Sequence, residues 1–583
     1  MSINTYYRDE LSYLREKGGE FARANPRLSQ YLSRDGSDPD VERLFEGFAF
    51  LVGRLRMQID AEMPELAHNL LQLIWPHYLK PVPPITTLQL GFADGASGAS
   101  IKVPRNTGVQ TGTIDGEAVS FRTSYDTTVL PFRIDDLQLE NRTSSCTISI
   151  RFQRLAGAGL QGLGEGPVRL FFNSNRNLAV AQGLFALFHE KMAQATFAAK
   201  GEPAQKVKLG VSSCGFEDEQ ATLPYPQGSF RGFRIMQEYF SCPEKFLYVE
   251  LDGLQRFAGS PADSFTLTFE FSQRFGVSSK LDDDQIVINC TPAVNLFETE
   301  GQALLVSHDR SEYPVRMIGD RDKFSIHTIS DLVGWVQGTG ERVDYELFES
   351  FRHDPATSDG GEKLYYRTKV RPSMVGLGID HFVSFVSRYN KLGIPPTETV
   401  SLRLICSNGK FATRFGIGSV NQPTSTTPNK LKFSNITPIM SEVMPPLDDS
   451  VLFTLIANLA RNFASLIDVE ALKTVIRAYD FRSHVDKQAA QQLELLLQSL
   501  DSFERKSIDI VRKGRPVRAY ELTLSLSEMQ MGGEGEMYLF GRVLDHFLRS
   551  YASVNSLHRF TIVGKDMNVR YRFQPEWGEA NTL

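Results

Sequence analysis

Tyr6-Tyr7-Arg8-Asp9-Glu10-Leu11-Ser12-Tyr13-Leu14-Arg15-Glu16-Lys17-Gly18-Gly19-Glu20-Phe21 opens the chain with a heptad seam. Tyr7, Leu11, Leu14, Gly18 and Phe21 recur at steps of four and three, which places them on one helix face. A second segment repeats the pattern. Asp38-Pro39 supplies an N-cap and a proline at the first helical position. Asp40 and Glu42 then put negative charge where the helix dipole favours it, and Val41, Leu44, Phe48, Leu51 and Leu55 form the stripe. Pro64 opens a third segment, striped by Leu66, Leu70, Leu73 and Ile74, which Trp75-Pro76 and Pro81-Val82-Pro83-Pro84 end. Residues 1–84 therefore read as an N-terminal helical assembly region. Two readings stay open: an intramolecular subdomain, or a bundle completed by helices of other chains.

Beyond the proline run the period changes to two. Thr87–Phe92, Val119–Arg122, Cys146–Phe152 and Val168–Phe172 alternate, with Gly, Pro, Asn and Asp between them. One helical interruption is expected over 178–198, with Leu184, Leu187, Phe188, Met192 and Ala195 as its face. Strands resume at Phe246–Glu250, Phe265–Phe271 and Ile286–Asn289, so 85–300 reads as a mostly antiparallel β domain. A second β-rich region covers 301–444. It ends in Asn421-Gln422-Pro423-Thr424-Ser425-Thr426-Thr427-Pro428-Asn429, a linker or exposed loop by composition. From 445 to 583 helices (Leu452–Leu466, Val469–Tyr479, Lys487–Leu500, Tyr538–Ala552) and strands (Ser507–Val511, Tyr520–Leu526, Phe560–Val563, Val569–Phe573) succeed one another. That region is expected to be an α+β domain with its own core. The fold class is thus α+β and multidomain.

The totals narrow the function. A chain of 583 residues exceeds a single core, and 41 % hydrophobic with 23 % charged residues describes a folded soluble protein. The net charge of −6 supplies no basic field for nucleic acid, and Val511-Arg512-Lys513-Gly514-Arg515-Pro516-Val517-Arg518 reads as a solvated turn. No apolar run approaches a membrane span and the N-terminus lacks the blocks of a signal peptide, so a cytoplasmic location is expected. Cys146, Cys214, Cys242, Cys290 and Cys406 are expected as buried free thiols.

No catalytic, metal-binding or cofactor-binding residue is assigned. Gly157-Ala158-Gly159-Leu160-Gln161-Gly162 matches the dinucleotide-binding spacing, but Leu163-Gly164-Glu165-Gly166-Pro167 cannot start the helix that a pyrophosphate needs. A flexible hairpin loop is expected there. His77 reads as a structural turn residue, and Asp282-Asp283-Asp284 as a solvated turn without the Gly and terminal Glu of a calcium loop.

Long runs resemble the TssF (ImpG, VasA) baseplate proteins of type VI secretion systems. They are Tyr6–Glu16, Glu20-Phe21-Ala22, Asp38–Leu44, Glu46–Leu51 and Pro76–Pro81 near the start. Gly232-Phe233-Arg234-Ile235-Met236-Gln237-Glu238-Tyr239-Phe240, Pro243-Glu244-Lys245-Phe246 and Cys290–Phe297 follow in the middle. Tyr538-Leu539-Phe540-Gly541, Phe547-Leu548 and Tyr551–Ser556 complete the set. The tail Trp577-Gly578-Glu579-Ala580-Asn581-Thr582-Leu583 departs from the Arg-x-Gly type expected in that family. The resemblance implies a non-enzymatic wedge subunit that pairs with a TssG-like subunit and a second copy of itself. It implies TssK-like and TssE-like subunits as further partners, an indirect link to tail tube and sheath, no direct membrane insertion, and recruitment to the cytoplasmic side of the inner membrane. The runner-up readings are a wedge protein of another contractile tail and a carbohydrate-active enzyme.

Candidates for partner contact are Tyr7, Leu11, Leu14, Phe21, Val41, Leu44, Phe48 and Leu51 of the N-terminal stripes, Tyr239 and Phe240 of the central run, and Leu548 of the last helix. For the central run an intradomain role and an interface role both remain open. Glu244-Lys245, in a turn after Pro243, reads as an exposed pair of little energetic worth.

Overall fold

The computed structural model describes residues 3–24, 39–93, 100–155, 159–225, 231–278, 280–307, 309–348, 364–373, 378–386, 397–447, 467–512 and 514–579. The expected helix at Leu452–Leu466 lies outside them. The chain divides into a small unit, 1–76 with 447–457, and a large one, 77–446 with 458–583.

The small unit holds α1 (Ile3–Ala24) and α2 (Pro39–Ile74). Where a third segment is expected to open at Pro64, α2 continues for 36 residues. A proline removes one intrahelical donor, and the turns on either side carry the helix through. The period-2 region begins inside the large unit, whose first residue is His77 rather than one near 84.

In the large unit, strands distant in sequence share sheets. A six-stranded sheet runs Val420–Pro423, Gly108–Ile114, Glu117–Thr123, Cys290–Val294, Ile85–Phe92, Leu431–Asn435. Its core includes Leu88, Val109, Val119, Phe121, Phe411 and Phe433. Residues 420–435 therefore close the sheet that residue 85 starts. The Thr/Pro-rich stretch is built into that closure: the hydroxyls of Thr424 and Thr427 donate to the Gly108 carbonyl at 2.9 and 2.6 Å. It is no interdomain linker, a role that composition suggests but hydrogen bonds from 318 residues away overrule.

A five-stranded sheet (Gln205–Val207, Met192–Ala199, Ser264–Phe271, Cys146–Arg154, Phe132–Asn141) and a four-stranded one (Gly210–Cys214, Tyr248–Asp252, Val168–Phe172, Ile286–Ile288) complete the central β region. The helix expected over 178–198 stops at Glu190 as α3 (Leu178–Glu190), and Met192–Ala199 is a strand. Alternation of Ala195, Phe197 and Ala199 toward the core decides this. Eight strands between Phe297 and Ser407 form one sheet around Leu332, Val383, Val400 and Leu404.

Further on come α4 (Arg231–Ser241), α5 (Val469–Tyr479), α6 (Lys487–Ser499) and α7 (Glu534–Tyr551). Asp468 and Asp486 cap α5 and α6 by accepting from backbone N–H groups. Strand Arg515–Leu526 runs parallel to Leu557–Gly564, and α7 supplies the long crossover that a parallel pair requires. The separate C-terminal core expected for 445–583 is not what forms. Along α7, Leu539, Val543, Leu544, Phe547 and Leu548 are all buried, because α7 packs on α3 and α4 as well as on its own sheet. At the α3 contact a Cβ on Gly535 would lie 2.5 Å from the Gly183 nitrogen, so only glycine permits this approach.

Candidate assembly surface

In the small unit, α1 packs antiparallel on α2. Arg15 reaches Glu42 in two hydrogen bonds of 2.8 and 3.2 Å, and Arg56 reaches Glu10 at 2.6 Å. The interior of this pair is Leu11, Ala49 and Gly53. The ion pairs are exposed enough to be worth about 0–1 kcal/mol each; they fix register more than stability.

The stripe expected on α2 does not face α1. Leu44 is 71 % exposed, and Phe48, Leu51 and Leu55 are each 59 % exposed. Their spacing of four, three and four puts them in one row on an open helix face. Val41, Tyr7 and Leu14 are half-buried, and Phe21 is exposed. Tyr13 and Phe50 are exposed large rings too; both lie off the heptad steps, so periodicity passes over them. The described part of the small unit thus leaves several large apolar side chains uncovered, which a monomer rarely tolerates.

The other candidates lie inside the large unit. Tyr239, Phe240 and Leu548 are 5, 6 and 0 % exposed, so none offers a free surface. Tyr239 meets Phe240 and Phe540 with ring centroids 5.0 and 5.9 Å apart, and Phe233 meets Tyr479 at 5.6 Å. α4 is therefore wedged between the central β region and the C-terminal helices. Their aromatic area is spent on internal packing, which residue type alone does not distinguish from a hot spot.

Charge is buried along with these rings. Glu238 accepts from the Thr222 and Leu223 N–H groups at 2.7 and 2.9 Å and from Lys245 Nζ at 2.5 Å. Arg234 donates to Asp218 at 2.7 Å. Lys245 is not the exposed partner of Glu244: its side chain is fully buried, and it pairs with a carboxylate seven residues back. Burial pushes its pKa down, opposed by Glu238. The network ties segment 216–223 and the turn Pro243–Phe246 to α4.

The remaining chemical candidates sit in turns, in loops or buried in the core. His77 sits in a turn stacked on Tyr225 at 4.0 Å, its pKa pushed down to about 2 by burial. The loop expected to be a flexible hairpin joins two different sheets, and Leu160 and Leu163 are buried in it. A Cβ on Gly162 would meet Pro131 Cδ at 2.7 Å. Arg176 pairs with Asp282 and Asp284 in the acidic turn. All five cysteines are buried free thiols, with Cys214 and Cys406 pushed up to about 12 by burial. Among the described residues no group of three His, Cys, Asp or Glu is placed to hold a metal, and no helix is long and apolar enough to cross a membrane.

The chain matches the profile of the family described as "Type VI secretion system, TssF" over residues 1–580. It is 28 % identical to type VI secretion system component TssF1 of Pseudomonas aeruginosa, over 99 % of each sequence. Its fold is similar to a chain of a type VI TssK-TssF-TssG baseplate subcomplex determined by cryo-electron microscopy. The TM-score there is 0.76 at 24 % identity, over 92 % of this chain and 98 % of that one. A chain of a baseplate complex from the type VI secretion system gives a TM-score of 0.60 at 22 % identity, over the whole of both.

Proposed function

Because the chain belongs to the TssF family of the type VI secretion system, we propose that it is a structural subunit of the baseplate wedge. Its partners in this reading are a TssG-like subunit, a second copy of itself, and TssK-like and TssE-like subunits. Together they build the platform for tail tube and contractile sheath. The role is non-enzymatic, and the protein works in the cytoplasm at the inner face of the inner membrane.

The observation that carries this reading is the row Leu44, Phe48, Leu51 and Leu55 on α2. A helix with an apolar row on its open face gains by laying that row against another helix. The buried titratable groups support it from the other side. His327 and His381 are pushed down to about 3 and 4 by burial, so they serve as neutral packing groups.

The test is co-expression with the TssG-like and TssK-like products of the same gene cluster, followed by affinity purification and mass measurement. A stable complex containing more than one copy of this chain per TssG-like subunit is expected. A chain that purifies alone at every salt concentration, with the partners present and folded, would defeat the proposal.

A further inference from the structure

The long hairpin of the C-terminal sheet projects beyond the strands that support it. Leu500–Arg512 and Arg515–Leu526 pair along their whole length, from Leu500↔Leu526 to Arg512↔Arg515. The third strand, Leu557–Gly564, pairs only with Ala519–Leu526. From Ile508 to Arg518 the hairpin is therefore a two-stranded ribbon. Such ribbons are marginal in water unless something packs on them. Ile508, Ile510 and Val517 are half-exposed on one face, Val511 is 74 % exposed on the other, and the ring of Trp577 lies 5.9 Å from the Arg512 guanidinium.

The outer edge of Leu500–Arg512 pairs with no strand among the described residues. Its charge is one-sided. Arg512 and Arg515 have no carboxylate partner among the described residues, and the one acid of the described ribbon, Asp509, lies directly across from Arg518. Cations on a free edge repel basic strands, would be desolvated unpaired against apolar ones, and leave acidic ones acceptable. A solvated turn would need neither strands of thirteen and twelve residues nor half-exposed isoleucines. Edge protection alone explains the arginines but not Ile508, Ile510 and Val511.

We propose that this ribbon is a docking edge that takes an acidic, extended segment of another subunit as an added strand along Ser507–Arg512. Backbone hydrogen bonds to the free edge supply affinity, Ile508, Ile510 and Val511 supply apolar contact, and the arginines select for acid. The inference rests on the assembly reading above and names a second surface, separate in sequence from the α2 row.

The experiment uses the full chain co-expressed with the TssG-like and TssK-like subunits. Hydrogen exchange is compared for the free chain and the complex, and the variant Arg512→Glu/Arg515→Glu is carried in parallel. The ribbon is exposed, so the variant should melt as the wild type does. Amides within 507–512 should gain protection in the complex. The variant should lose that protection and bind the partner at least about tenfold more weakly, with the wild-type affinity falling as salt rises. A complex that forms without protecting 507–512, or a variant that binds as tightly as wild type, overturns the inference and leaves the assembly reading standing. A wild-type chain that binds neither subunit sinks both. Protection obtained with a single-stranded DNA oligonucleotide and with no subunit also overturns it.

Discussion

Replacing Phe48 and Leu51 with aspartate should abolish binding of the TssG-like subunit while leaving the chain folded. Both side chains are 59 % exposed, as is Leu55, and Leu44 is 71 % exposed. Roughly two thirds of the ~2 kcal/mol that each would gain on full burial is therefore still unrealised in the isolated chain, about 5 kcal/mol for the row. Two aspartates remove about half of that gain and force two carboxylates into an apolar contact, which costs a few kcal/mol more. A loss of about 4 kcal/mol or more is a factor of about a thousand in Kd. The same substitutions cost the isolated chain little, about 1 kcal/mol or less, because surface positions away from a core change stability weakly. The assay is a titration of the purified TssG-like subunit by biolayer interferometry, with circular dichroism and a thermal melt of each variant. Binding within tenfold of wild type would refute the idea that the row is an interface. A collapsed melting temperature would show instead that the row is packed within the chain.

Three further outcomes follow from the interior. Lys245→Met leaves Glu238 buried with its nearest cation, Arg234, 3.7 Å away, and should destabilise the large unit by roughly 3–5 kcal/mol in a denaturant titration; an unchanged midpoint would mean the pair is dispensable. Gly162→Ser places atoms where Pro131 Cδ would be 2.7 Å away, so it should lower the melting temperature without revealing any nucleotide site by calorimetry; a silent substitution would contradict the packed loop. Burial pushes the Glu442 carboxyl up to about 7, although hydroxyls of Ser407 and Ser325 bond to it. Its contribution is therefore fully present below the unfolded value near 4.3 and is lost as pH rises through 7, so Glu442→Gln should gain on wild type by up to about 3 kcal/mol between pH 5 and pH 8, and a difference independent of pH would refute the shift.

Much of the local structure was legible because periodicity is local. The expected Val469–Tyr479 helix coincides with α5, and Phe265–Phe271 and Ile286–Asn289 lie within a residue of the observed strands. What failed was whatever depends on distant partners. Met192 and Ala195 continue the apolar pattern of α3, yet Ala195 pairs with Phe269 and Val207 in a sheet. Val207 lies twelve residues on, but Phe269, in the strand at the middle of that sheet, lies 74 residues away, beyond any local window. The Thr-rich stretch looks like a linker until Gly108 is placed beside it. Lys245 looks like a surface residue until Glu238, one helix earlier, is turned toward it.

The same limit explains why the partner candidates divided as they did. A stripe reports which face of a helix is apolar, not what covers it. On α7 the stripe is covered from inside the chain, because Gly535 lets α3 come close and α4 fills another side with Phe233 and Tyr239. On α2 the covering helix α1 is held against a different face, where Ala49 and Gly53 are buried. Arg15–Glu42 and Arg56–Glu10 lock that choice. Had α1 lain on Leu44, Phe48 and Leu51, the small residues would face solvent and no apolar row would remain. By using the face of Ala49 and Gly53 for its own pairing, the hairpin leaves Leu44, Phe48, Leu51 and Leu55 exposed, and the proposed assembly role rests on that choice of face.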